Sequence, residues 1–284
     1  MDKKVVIDSF QKLIKEKKIL DFAVPTSLFH YTDANGLKTI LETGAMYASP
    51  TFSTNDPSEL MYGWKIVEEV CAELLVKNEN NTTSIKLSNA IKYPTNFPIL
   101  HLMCFSTDGD NLSQWRSYAD NGNGFSLEIN VSSLLAPPDQ WAFYKCIYNR
   151  EQQKQKVIDL ISISEQVNES LEHGKYFDLV FDWFGWSLWS LISTFKHHSY
   201  SDEKEWRCKI TSQLPFEYVT YIKGSHLKAS HPVFFKGHSV INKIIIGPKN
   251  NPEISKLAIQ TLLTKSKIVL KEKIKVVISD APYR

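Results

Sequence analysis

The segment Leu28 to Ala48, LFHYTDANGLKTILETGAMYA, constrains the fold more than any other part of this 284-residue chain. Ser27 to Tyr31 is short, apolar and aromatic, the pattern of a strand, and Pro25 separates it from the residues before it. Thr32 or Asp33 can cap a helix over 34–43. Gly44 ends that helix, because the left-handed turn that closes a helix costs glycine nothing. Ala45 to Ala48 then extends again as a second strand. The segment therefore sets a histidine, His30, near the end of one strand and a tyrosine, Tyr47, in the next.

The rest of the chain mixes helices and strands in the same way. The first twenty residues place Val6, Phe10, Leu13 and Ile14 on one helical face. SPTFSTNDPSE reads as a loop whose Asp56-Pro57 starts a helix carrying Tyr62, Ile66, Val70 and Leu74. Pro98 to Phe105, PILHLMCF, is a continuous apolar run of the kind that forms a central strand. It leads into a short helix at LSQWRSYAD and a turn at NGNG. Phe125 to Val131 and Trp141 to Tyr148 read as strands, and Gln153 to His197 is mostly helical. Glu205 to Ile210 and Phe216 to Ile222 read as a strand pair, followed by an irregular stretch rich in His, Gly and Lys. INKIIIGP, a helix over 253–263 and IKVVISDAPYR close the chain as strand, helix, strand.

This order has no regular βαβ alternation, so the expected class is α+β. We expect one domain over 1–284, with an N-terminal helix over 1–24 and a helical insertion at about 150–198. Hydrophobic residues make up 43% of the chain, enough to bury a core. The 33 basic and 31 acidic residues nearly cancel, so no general field draws the chain to nucleic acid or to a membrane surface. Cys71, Cys104, Cys146 and Cys208 are scattered without metal or redox spacing and read as buried thiols in a reducing cytosol. No secretory core and no membrane-length apolar run is found, so the expected location is cytoplasmic.

GxxxxGK[ST], GxGxxG between strand and helix, GxSxG and HExxH are all absent. The polar residues set into strand ends and short helices are the remaining candidates: His30, Tyr31 and Tyr47; Asn55, Asp56 and Glu59; Gln114, Trp115, Arg116 and Tyr118; Glu203, Glu205 and Arg207. Taken alone, His30 reads as a core histidine, Tyr47 as a tyrosine with its ring buried, and NDPSE as a helix cap. In an extended EKEWR, Glu203, Glu205 and Arg207 would share one face, where an arginine or a substrate cation could hold the two carboxylates ionised. A solvated edge strand is the competing reading.

The blocks LFHYTDANGLKTILETGAMYASPTFSTNDPSE, CFSTDGDNLSQWRSYADNGNGFSLEI, YSDEKEWRCKI, IIIGP and SDAPYR resemble, in order, those of a large, mostly bacterial family of uncharacterised domains. That family is distantly similar to ADP-ribosyltransferases of the His-Tyr-Glu type. The resemblance implies a split, bent pair of mixed or antiparallel sheets around a cleft for NAD, with helical insertions. It implies that His30, with Tyr31 beside it, binds the adenosine ribose, that Tyr47 stacks on nicotinamide, and that Glu205 or Glu203 grips the nicotinamide ribose. By analogy with the arginine-modifying branch, Glu205 is the catalytic residue and Glu203 serves the acceptor, although no Ser-Thr-Ser block is evident. Asn55, Asp56, Glu59, Gln114 and Arg116 would shape a pocket particular to the bacterial family.

The implied activity is transfer of ADP-ribose from NAD to a protein, a nucleic acid or water, as a toxin or phage-defence effector, with NAD as substrate and no metal or membrane partner. A second reading is a non-catalytic nucleotide-sensing or nucleic-acid-interacting module, with Trp115, Arg116, Tyr118 and FFKGHSVINK as its contacts. A third is a metal-dependent enzyme acting on nucleic acid, if Asp56, Glu59 and Glu205 converge on a divalent ion.

Overall fold

The structure is a computed structural model that describes residues 3–20, 23–51, 58–78, 85–86, 100–134, 141–170, 177–210, 218–223, 226–235, 240–266 and 274–283. In chain order its elements begin α1 (Lys3–Glu16), β1 (Ser27–Thr32), α2 (Ala34–Thr43), β2 (Ala45–Pro50), α3 (Ser58–Lys77), β3 (His101–Ser106) and α4 (Leu112–Tyr118). They continue with β4 (Phe125–Asn130), β5 (Trp141–Lys145), α5 (Arg150–Ser170), α6 (Phe177–Ile192) and β6 (Glu205–Ile210). The last are β7 (Val219–Lys223), β8 (His226–Phe234), β9 (Ile241–Ile246), α7 (Pro252–Lys265) and β10 (Lys275–Ile278).

The chain divides into two compact units: Met1–Ala23, Asn55–Ile99 and Cys146–Ser201 form one, and Val24–Thr54, Leu100–Lys145 and Asp202–Arg284 the other. The first unit is helical. α1 buries Val6 and Phe10, α3 buries Trp64, Ile66, Val67 and Val70, and α5 buries Val157, Leu160, Ile161 and Val167. α6 adds Phe184, Leu188 and Trp189, while Trp186 stays exposed. Gln153 joins this core as a polar clamp, its amide donating to the Ile147 and Lys196 carbonyls. No helix of the described residues is long and apolar enough to cross a membrane.

The second unit is built on a mixed sheet of ten strands among the described residues, in the order β10-β9-β4-β1-β3-β2-β8-β7, with β6 on β3 and β5 on β6. The class is therefore α+β. The opening segment folds as its sequence demands: the Asp33 side chain accepts from the Gly36 amide, and Gly44 closes α2 at φ 68. The α2 residues Leu37, Ile40 and Leu41 are buried, and so is Ile259 of α7. β9 and β10 are parallel, joined through α7, whose cap Asn251 is followed by a proline at the first helical turn.

Two sequence expectations need correction. β6 does not pair with β7; it lies between β3 and β5, and β7 pairs with β8. The stretch expected to be irregular contains β8, nine residues long, which pairs with β2 as well. Its composition hides it, because a histidine and Pro232 break the apolar alternation that marks a strand.

Candidate functional site

β3 has two unlike edges. Along one it pairs with β6 over its whole length, from His101↔Ile210 to Ser106↔Glu205. Along the other it meets β2 at His101 and Leu102 and β1 only at Ser106, so Met103, Cys104 and Phe105 lie where the sheet splits. In that gap the Cys104 carbonyl accepts a hydrogen bond from His30 Nδ1 at 3.0 Å, a side chain taking the place of a neighbouring strand. A carbonyl can only accept, so Nδ1 carries the proton and the neutral ring has its lone pair on Nε2. Cys104 is exposed, whereas the rest of β3 is buried, so the split opens to solvent at this residue. The expectation of four buried thiols fails there, and holds for Cys71, Cys146 and Cys208.

Directly paired residues in a sheet project to the same face. The register therefore groups Glu205 and Arg207 with Ser106 and Cys104, and Ser49↔Leu102 puts Tyr47 on that face too. His30 belongs by alternation to the other face, 5.8 Å from the Phe105 ring, and reaches the strand edge through its Nδ1. Arg207 grips Glu205 as a fork, Nε to Oε1 at 2.8 Å and one terminal nitrogen to Oε2 at 3.1 Å, with both side chains only 5% exposed.

Glu203 does not continue the β6 face. It lies in a 3-10 turn, and Lys204 at φ 48 bends the chain before β6 begins at Glu205. The left-handed conformation of a non-glycine residue is costly, and local contacts hold it here. Ser106 Oγ donates to the Glu203 carbonyl at 2.7 Å, and the Lys204 ammonium meets Asp108 at 3.0 Å. Burial pushes the Asp108 carboxyl up, but the Lys204 ammonium and the Asp110 amide bring it below the usual range. Glu203 is nonetheless buried, and its carboxylate accepts from the Tyr118 hydroxyl at 3.2 Å. The two glutamates thus share the neighbourhood of β3 through different local structures.

The loop before α4 is fixed by Tyr31, whose hydroxyl donates to the Asp108 carbonyl and accepts from the Asn111 amide, both at 2.8 Å. Burial pushes that hydroxyl well above its usual range, so Tyr31 supports the loop with its polar end engaged. Asn111 caps α4 at the amides of Ser113 and Gln114. Trp115 is fully buried, its indole donating to Asp110 at 2.7 Å, and so cannot stack on a nucleotide. Asp110 also accepts from Ser279 Oγ and the Asp280 amide, which ties the closing SDAPYR block to the loop.

Gln114 is buried in α4, while Arg116 points elsewhere, its guanidinium 5.5 Å from the Tyr283 ring, which Lys249 also faces at 4.4 Å. Asn55 and Asp56 lie outside the described residues; Glu59 belongs to the first turn of α3. Among the described residues no three His, Cys, Asp or Glu side chains are grouped to hold a metal.

Sequence reasoning missed Ser106 and Lys209. Ser106 stands in CFST, and its register opposite Glu205 is not visible locally. Lys209 continues the Glu205–Arg207 face with its ammonium 6.0 Å from the Tyr144 ring. Burial pushes this lysine down to about 8 and, with the Cys208 thiol, the Tyr144 hydroxyl up to about 12.

Residues 114–208, a span holding Gln114, Glu203, Glu205 and Arg207, match the model of an uncharacterised domain family described as protein of unknown function (DUF2971). No curated protein and no solved structure matches the chain. The match agrees with the expected likeness to an uncharacterised domain family over that span, which begins in α4 and ends within β6.

Proposed function

We propose that the chain consumes NAD, breaking the bond between nicotinamide and ribose and passing ADP-ribose to a macromolecular acceptor or to water. One observation carries the reading: β1 with His30 and β2 with Tyr47 flank the same exposed gap in β3, and Glu205 lies across that strand, paired with Ser106.

The chemistry suits these residues. Nicotinamide leaves NAD as a neutral molecule with the electron pair of the broken C–N bond, so no acid is needed to protonate it. Positive charge then grows on the ribose, and a fixed carboxylate beside it lowers the barrier electrostatically. Glu205 supplies that carboxylate. The acceptor forms its bond at the ribose carbon and gives up a proton, for which Glu203, on the Tyr118 hydroxyl, is the nearby base. His30 Nε2 can accept from a ribose hydroxyl, and the half-buried Tyr47 offers an aromatic face to the departing ring.

The test is release of nicotinamide from NAD by the purified full chain, with and without cell extract as acceptor source. Release by the wild type that falls about 100-fold or more in Glu205→Gln supports the reading. No release under any of these conditions, together with no NAD binding, overturns it.

A further inference from the structure

We infer that Arg207 is a positioning residue for the NAD-cleaving step: its guanidinium fork sets the orientation of the Glu205 carboxylate and keeps it anionic. The inference rests on the proposed NAD reaction; alternation in EKEWR already sets an arginine beside the glutamates, and the structure adds that its fork holds Glu205 through both carboxylate oxygens.

Glu205 and Arg207 stand two apart on one strand, so their backbones separate them by about 6–7 Å, and the fork forms because the arginine folds back along the face. Both carboxylate oxygens are engaged, at 2.8 and 3.1 Å, and neither side chain is more than 5% exposed. A buried ion pair of this kind is a weak source of stability, because desolvating two charges offsets their attraction. It does have a clear chemical effect. A buried carboxylate alone tends to take up a proton and become neutral, and a neutral acid cannot stabilise a positive ribose; a paired guanidinium prevents that. The fork also removes rotation about the carboxylate, which a lysine, a point charge without fork geometry, cannot do. Arg207 of β6 is paired with Cys104 of β3, the exposed residue of the split, so the clamp lies one strand behind the opening.

The experiment is the pH profile of nicotinamide release for the full chain as wild type, Arg207→Gln and Arg207→Lys, with circular dichroism to establish folding. Expected are a wild type active into mildly acid solution, an acid limb displaced upwards by about 1–3 pH units in Arg207→Gln, and a limb near the wild-type position in Arg207→Lys. In the lysine variant kcat should fall up to about 100-fold through lost alignment while KM changes little. If Arg207→Gln does not fold, the lysine variant decides alone: an unchanged kcat overturns the inference. An active wild type with the same profile and kcat in both variants also overturns it and leaves the NAD reading standing. A wild type that releases no nicotinamide and binds no NAD removes that reading and this inference with it.

Discussion

Among the described residues the ion pairs of the helical unit lie at the surface; the sheet unit has exposed and half-exposed pairs as well, Lys38–Glu42, Lys204–Asp108 and Lys243–Glu128, but it also buries one, Glu205–Arg207. Arg150 and Lys154 of α5 reach Glu69 and Glu73 of α3 at 2.5 to 3.4 Å, and those glutamates are 41% and 51% exposed. Lys154 holds the exposed Glu73 carboxyl below its usual range, yet water screens such a network and little stability follows. The Glu205–Arg207 fork has similar distances at 5% exposure, with buried Glu203 nearby. Lys196 is a departure from the pattern, a buried lysine of the helical unit with its ammonium 5.1 Å from the Tyr200 ring. The contrast teaches that the number of ion pairs says little. The costly, desolvated ones mark where the chain has placed charge for a reason other than solubility, and they lie beside the split in the sheet.

The largest effect should come from breaking the buried pair on one side only. Arg207→Leu takes the guanidinium from the buried Glu205 carboxylate and should cost about 3–5 kcal/mol in denaturant unfolding at neutral pH, whereas Glu205→Leu with Arg207→Leu should recover most of it. Equal losses in the single and double variants would erase the distinction between the two regions.

Next comes His101 of β3, with Nε2 on the Tyr218 hydroxyl at 2.8 Å and its ring 6.0 Å from that of His231. Burial, helped by His231, pushes it down to about 4 from an ordinary 6.5. The unfolded chain therefore takes up this proton at higher pH than the folded one. The resulting stability is complete above about 6.5 and is lost as pH falls towards 4, up to about 3 kcal/mol in all. His101→Gln should flatten the stability curve across that window, and an unchanged slope would show that His101 is not its source.

A smaller effect is expected at the cap of the opening segment. Asp33→Ala removes the acceptor of the Gly36 amide and should cost about 1 kcal/mol, read as a lowered Tm. Smallest of all, Arg150→Ala should change stability by less than about 1 kcal/mol despite its short contacts to Glu69. A loss as large as that of Arg207→Leu would mean the surface network carries weight that its exposure denies it.

What could be read from the sequence was local. The Asp33 cap, the Gly44 stop and the strands on either side of them are all encoded within a few residues, and the structure repeats them. What could not be read depends on partners far away in the chain. That β3 takes β6 along one edge and divides the other between β2 and β1 follows from register, which no local pattern encodes. The EKEWR segment shows both sides. Its Glu205–Arg207 pairing follows from strand alternation, but the bend at Lys204 that turns Glu203 away is set by contacts from Ser106 and Asp108. Tyr31 and Trp115 likewise look available as letters, yet their polar atoms hold the loop before α4.

If one substrate uses both sides of the split in β3, a crystal structure of the full chain with NAD will show it. The dinucleotide should lie across Cys104, with its nicotinamide riboside beside Glu205 and Tyr47 and a ribose hydroxyl on His30 Nε2. NAD bound away from this gap, or in contact with His30 but on the face of β3 opposite Glu205, would contradict it.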